Sequence, residues 1–215
     1  MKKWLVFFIG LLIMTFGIVL LIRADLGSAP WDVLHIGLHK QLGLTVGSWT
    51  IIVGIFVLFS SAVLGKQLPK LGAFLNMLFC GIFIDMYLLI PWLKTPETFT
   101  GQLVMLITGV IIMAYGMAIY ISANCGAGPR DSLMLVLMQK TKMKVEWIRF
   151  SMEIVVLFIG WLLGGPVGIG TIIFCLTIGH ATGIALPQCQ KVVKAWLENN
   201  SMKVAKQGKS FNFIE

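Results

Sequence analysis

The chain has 215 residues, 58% of them hydrophobic and 12% charged, with a formal net charge of +8 and a mean hydropathy of +0.91. Soluble domains run at about 45–50% apolar and about 25% charged, so a water-soluble domain is excluded, as are disordered and collagen-like chains. The class that remains is an all-α, polytopic membrane protein with apolar residues for roughly six crossings at about 20 residues each.

In chain order the apolar runs predict spans at 4–22, 48–64, 71–91, 101–122, 147–163 and 168–187. They are too long for barrel strands and lack two-residue alternation. The first run follows Lys2 and Lys3, as in a signal peptide. It is longer than the usual apolar region of one, Arg23 spoils a small-residue cleavage site, and the segment recurs later, so it is expected to be retained. The segments 31–42 and 130–139 are shorter and are expected to be re-entrant or interfacial helices. At 1.5 Å per residue they cover only part of a core of about 30 Å. Eight crossings, four in each half, is the alternative.

Thirteen of the 17 lysines and arginines fall on one side of a six-span arrangement. They include Lys2, Lys3, Lys66, Lys70, Arg130, Lys140, Lys142, Lys144 and the tail lysines, against Arg23, Lys40 and Lys94 opposite. The positive-inside rule then puts both termini in the cytoplasm. The high net charge becomes a topology signal, and nucleic acid is not an expected partner. Trp4, Trp31, Trp49, Trp92, Trp147 and Trp196 lie at or near span ends or in the tail, as interfacial anchors do. In the tail, Val192, Val193, Trp196 and Leu197 share a helical stripe among lysines. Either an interfacial helix on an anionic leaflet or a solvated basic tail fits that pattern.

The chain repeats itself at an offset of 99 residues. Gly10, Ile13, Met14, Gly17, Ile22, Ala24, Gly27, Pro30, Asp32 and Leu34 match Gly109, Ile112, Met113, Gly116, Ile121, Ala123, Gly126, Pro129, Asp131 and Leu133. The expected organisation is a first membrane repeat at 1–92, a second at 93–187 and a basic tail at 188–215. Three crossings per half invert the halves across the membrane, as in many secondary transporters, and four leave them parallel.

The duplicated turn reads Arg23-Ala24-Asp25-Leu26-Gly27-Ser28-Ala29-Pro30-Trp31-Asp32 and then Ser122-Ala123-Asn124-Cys125-Gly126-Ala127-Gly128-Pro129-Arg130-Asp131. Asp25 and Asn124 suit a tight turn through a bond to the backbone two residues on, and Gly27 and Gly126 allow positive φ. Pro30 and Pro129 suit a first helical turn, with Asp32 and Asp131 complementing its dipole. Each motif predicts a span end, a turn and the N-terminus of a short helix. Such an N-terminus is suited to an anion or carboxylate. Asp25, Gly27, Ser28, Pro30, Asp32, Asn124, Gly126, Gly128, Pro129, Arg130 and Asp131 are therefore the candidate binding residues, set against a purely structural turn.

Asp85, Glu153, His180 and Asn76 lie within spans, where a polar group is costly and invites a functional reading. An Arg149–Glu153 ion pair explains those two as well as a transport role does. His35 and His39 lie one turn apart but have no third ligand, and Met134 and Met138 replace them in the second repeat, so no metal is expected. The four cysteines read as packing residues, and the paired glycines, with Gly179 and Gly183, as close helix contacts. Neither a nucleophile–base set nor a P-loop is present, so neither an enzyme nor a cofactor is expected.

Around Gly27-Ser28-Ala29-Pro30-Trp31-Asp32-Val33-Leu34 and Gly126-Ala127-Gly128-Pro129-Arg130-Asp131-Ser132-Leu133 the chain resembles the YczE/YyaS/YitT group of bacterial integral membrane proteins, nearest its YczE branch. The resemblance covers about residues 4–187 and implies an inner-membrane protein with duplicated hydrophobic halves, but no activity. The expected partners are the lipid bilayer and a small anionic or polar solute, with a homo-oligomer left open. The function expected from the repeats and broken helices is a small-solute transporter or facilitator. The alternative is a non-transporting membrane accessory or scaffold.

Overall fold

The computed structural model describes residues 2–126 and 128–211, side chains excepted at 145, 146 and 198–211. It consists of eight α-helices: α1 Lys2–Ala24, α2 Pro30–Leu42, α3 Val46–Gly65, α4 Leu71–Leu88, α5 Phe99–Ser122, α6 Pro129–Thr141, α7 Val145–Leu162 and α8 Ile169–Phe211. The protein is thus an all-α polytopic membrane protein. Among the described residues, α1, α3, α4, α5 and the first part of α8 are long and apolar enough to cross a bilayer. α7 has the length, but it carries Glu146, Arg149 and Glu153.

The helix starts and stops repeat with the sequence. α2 and α6 each have 13 residues, and each opens on a proline after an extended N-cap, Ala29 or Gly128. The turns before them share one backbone path: Asp25 and Asn124 are left-handed at φ 55° and 54°, and Gly27 and Gly126 follow at 103° and 141°. Asp and Asn are among the few non-glycine residues that tolerate this region. The hydrogen bond expected from the Asp25 or Asn124 side chain to the backbone two residues on is not seen; the turn is held by the backbone. The N–H of Asp25 donates to the Ile22 carbonyl at 3.4 Å, and that of Asn124 to the Ile121 carbonyl at 3.0 Å.

The core is built on α1 against α5, the most extensive helix pair in the molecule. A Cβ at Gly10 would strike Tyr120, one at Gly17 would strike Met113, and one at Gly116 would strike Met14. Rising numbers on α1 therefore meet falling numbers on α5: the two repeat mates pack antiparallel. The contacts obey the repeat, because the Gly17–Met113 approach becomes the Gly116–Met14 approach when the two halves are exchanged. In lipid, helices associate through close packing and not through the hydrophobic effect, and glycine lets the backbones approach. Phe7, Leu11, Leu21 and Leu106 are sealed in the same seam.

The halves then interleave: α2 packs on α7, and α3 on α6. One seam breaks the symmetry. α3 and α4 pack tightly, with Gly47 and Gly81 at their crossing and the Asp85 carboxylate accepting from the Gly47 N–H at 2.8 Å. Their mates α7 and α8 form no comparable seam, and a Cβ at Gly179 or Gly183 of α8 would meet nothing within 4 Å. α8 also continues through Pro187 into the tail, so the tail helix is a continuation of the last span. The tail stripe divides. Val193 is buried in the main core with Leu197 against it, while Val192 is 69% exposed and Lys2 lies 6.0 Å from the Trp196 ring.

Candidate functional site

The N-termini of α2 and α6 approach each other inside the molecule, and the Arg130 guanidinium lies 4.6 Å from the centre of the Trp31 ring. This is cation–π distance. The two prolines set the meeting point, since each begins a short helix immediately after a left-handed turn. Trp31 and Leu34 pack with Val57, at the middle of α3, and with Val156 of α7. The helix starts are therefore deep in the bundle.

A cavity of about 140 Å³ lies where they meet. Its polar lining comes from both halves: Asp32 and His35 of α2, Thr50 of α3, Asn76 of α4, Tyr120 of α5, Arg130 and Asp131 of α6, and Arg149 and Glu153 of α7. Its apolar wall includes Met14, Met77, Met113, Met117, Met134 and Met152, side chains that adapt to irregular shapes.

Several of the polar groups are engaged. The Tyr120 hydroxyl donates to Asp131 at 3.4 Å, and Arg149 pairs with Glu153 at 3.1 Å. The Thr50 hydroxyl donates to the Val46 carbonyl at 3.0 Å and lies within hydrogen-bond distance, 3.2 Å, of Nδ1 of His35. Asp32, 2% exposed, is 3.8 Å from the same nitrogen, an ion pair only when His35 is protonated, and has no hydrogen bond among the described residues. Nδ2 of Asn76 is buried and unpartnered. Arg130 is stacked on Trp31 and, among the described residues, makes no hydrogen bond or ion pair.

The sequence candidates divide on this geometry. Asp32, Gly128, Pro129, Arg130, Asp131 and Glu153 line the cavity. Arg130, counted above among the cytoplasmic cations, stands in the interior instead. Asp25 and Asn124 are exposed and do not line it. Gly27 and Gly126 build the turns: a Cβ at Gly27 would strike Gly168 and Thr171, and one at Gly126 would crowd Gly72 and Ala73. Ser28 is buried and its N–H donates to the Pro166 carbonyl at 3.1 Å, while Pro30 is a buried helix start. Asp85 fastens the start of α3, through Gly47 and the Thr45 hydroxyl, outside the cavity. His180 is exposed on α8 and near the Leu176 carbonyl at 3.2 Å. His35 and His39 diverge, one to Thr50 and the other to the Leu44 carbonyl.

The sequence reading assigned no site role to Trp31, Thr50 and Tyr120 and weighed His35 only as a metal ligand. Their common signal was weak: each is polar or aromatic on an otherwise apolar helix face, a pattern shared with interfacial anchors and ordinary core residues. Asn76 had a signal, as a lone amide in a span, but no partner to place it.

A family model described as "Family of unknown function" (DUF6198) matches residues 1–187. The chain is 42% identical to the uncharacterized membrane protein YczE of Bacillus subtilis over 187 residues, 86% of each chain. It is 30% identical to the uncharacterized protein YyaS of the same organism, over 86% of this chain and 92% of the relative. An uncharacterized protein of Haemophilus influenzae is 32% identical over 79% of this chain and 77% of its own length. No solved structure matches the chain.

Proposed function

This chain belongs to the DUF6198 family of unknown function, and from that membership and its cavity we propose that it is a transporter or facilitator for a small polar or anionic solute. The observation that carries the reading is the cavity between two half-helix N-termini, lined from both repeats. Secondary transporters place their sites at such broken helices, on the axis relating inverted repeats. A scaffold has no need of buried polar groups without partners, which are costly in an apolar interior. No step of this reading requires an enzyme's chemistry.

The topology follows the antiparallel pairing of α1 with α5. Three helices lie between these repeat mates, and four crossings per half would leave the mates parallel. This favours a reading in which one of the three returns to its own face, and α2, at about 20 Å, is the shortest candidate. The proposed arrangement is six full spans with α2 and α6 re-entrant. In this reading the halves divide at 92/93, and lysine placement supports cytoplasmic termini. The closed α3–α4 seam and the parted α7–α8 pair are then one conformation of an alternating pair. The opening lies toward the cytoplasmic half, where Arg149 and Glu153 border the cavity.

Reconstitution into liposomes and screening of radiolabelled solutes tests the proposal. Saturable uptake is expected, with Arg130→Gln reducing it at least about tenfold, roughly one charge-assisted contact. Passive rates for every solute, equal to those of empty liposomes, would overturn it.

A further inference from the structure

The cavity contains groups of opposite demand that the protein itself leaves unmet. On the α6 side, beside the Asp131 carboxylate that accepts from Tyr120 at 3.4 Å, are hydrogen-bond donors: the Arg130 guanidinium, stacked on Trp31, and Nδ2 of Asn76, buried without a partner among the described residues. Asn76 is set against the start of α6, where a Cβ on Gly128 would lie 3.2 Å from its Oδ1. The first turn of α6 adds backbone N–H groups with no intrahelical acceptor. On the α2 side is an acceptor: the Asp32 carboxylate, 2% exposed, with Nδ1 of His35 at 3.8 Å, beyond hydrogen-bond distance.

A simple anion would satisfy the donors and leave Asp32 buried and opposed. A simple cation would do the reverse and be repelled by Arg130. A ligand with an acceptor at one end and a donor at the other satisfies both. The chain's own charges point the same way. Asp32, Asp131 and Arg130 sum to one negative charge, and two half-helix N-termini supply roughly +0.5 each. A site that is neutral overall with separated poles favours a dipolar ligand over a net ion.

We propose that the cavity binds a compact zwitterionic amino-carboxylate, its carboxylate held by Arg130, Asn76 and the α6 N-terminus and its ammonium by Asp32. This inference rests on the transporter reading of the same site and names its substrate class. Size agrees. The cavity of about 140 Å³ is comparable to the engineered apolar cavity of about 150 Å³ that admits benzene, so the ligand has about six to eight non-hydrogen atoms. The methionine wall receives its aliphatic part.

The test uses the full chain in lipid nanodiscs, with calorimetry and thermal shift. The probes are aliphatic amino-carboxylates of four or five carbons with the amino group at the α, β or γ position. Each is paired with the same skeleton lacking the amine (pentanoate for norvaline) or the carboxylate (butylamine). At least one amino-carboxylate is expected to bind, with removal of either pole weakening it about tenfold or more. Asp32→Asn should lower affinity for the amino-carboxylate and leave that for the monocarboxylate unchanged. The wild-type series stands alone if that variant does not fold. Monocarboxylates binding as tightly as their amino partners would overturn the substrate class. So would flux of another solute class with no amino-carboxylate binding, and in both cases the transporter reading stands. Absence of flux for every solute would remove that reading as well.

Discussion

Glycines of the same helix type do opposite things in this protein. At Gly17 and Gly116 any side chain collides with the backbone of the partner helix, at Met113 and Met14. Gly17→Val is expected to cost about 3 kcal/mol or more, because overpacking against a backbone has no side chain to move aside. Loss of folded protein in fluorescence-detected size exclusion and thermal melting checks it. Gly179→Ala meets open space, and helix propensity favours alanine by up to about 1 kcal/mol. Its melting temperature should be unchanged or raised. At Asp85 the carboxylate is the acceptor for the Gly47 N–H at 2.8 Å. Asp85→Ala strands that donor and should destabilise by about 1–3 kcal/mol, read as a lower melting temperature. Solute specificity should persist, since Asp85 does not line the cavity.

Among elements, the informative comparison is between the two pairs that the repeat makes equivalent. Ile51 meets Gly81 where α3 crosses α4, and the corresponding positions on α7 and α8 are Phe150 and Gly179. The second pair is apart, with both residues exposed. Alternating access predicts that they meet in the other conformation. In a background without Cys80, Cys125, Cys175 and Cys189, Phe150→Cys with Gly179→Cys should cross-link under a short bifunctional thiol reagent, faster while solute is turning over, and the linked protein should stop transporting. A cross-linking rate indifferent to solute would count against movement of α7 onto α8. Gly179→Ala should then slow transport while leaving the fold intact, because its added methyl occupies the position where α7 is received.

For the whole molecule, the proposed six-span arrangement predicts that equivalent loops open on opposite faces. Lys66→Cys, after α3, should be labelled by impermeant maleimide only from the cytoplasm, and Lys94→Cys, between α4 and α5, only from outside. The reverse pattern is what eight crossings would give. The proposed six crossings would also account for why two helices of 13 residues are shorter than the rest. Their starts are buried against each other and against the helices of the other repeat.

Much of the fold was legible in the sequence. Apolar run length marks each long helix, because a lipid-facing backbone has to satisfy its own hydrogen bonds. Gly27, Pro30 and Asp32 with Gly126, Pro129 and Asp131 mark the short-helix starts, because φ and the missing proline N–H are local properties. Repetition gave the two halves, and identity to relatives gave the family. The sequence could not say that Arg130 turns inward onto Trp31, that Asn76 and Asp32 share one cavity, or that Asp25, Asn124, Asp85 and His180 stay out of it. Residues 32, 76 and 130 lie on three helices from two repeats, and no local preference records their distance. Packing brought them together: the antiparallel closure of α1 on α5, through glycines that leave no room for a side chain, set one half against the other and made a cavity lined by both.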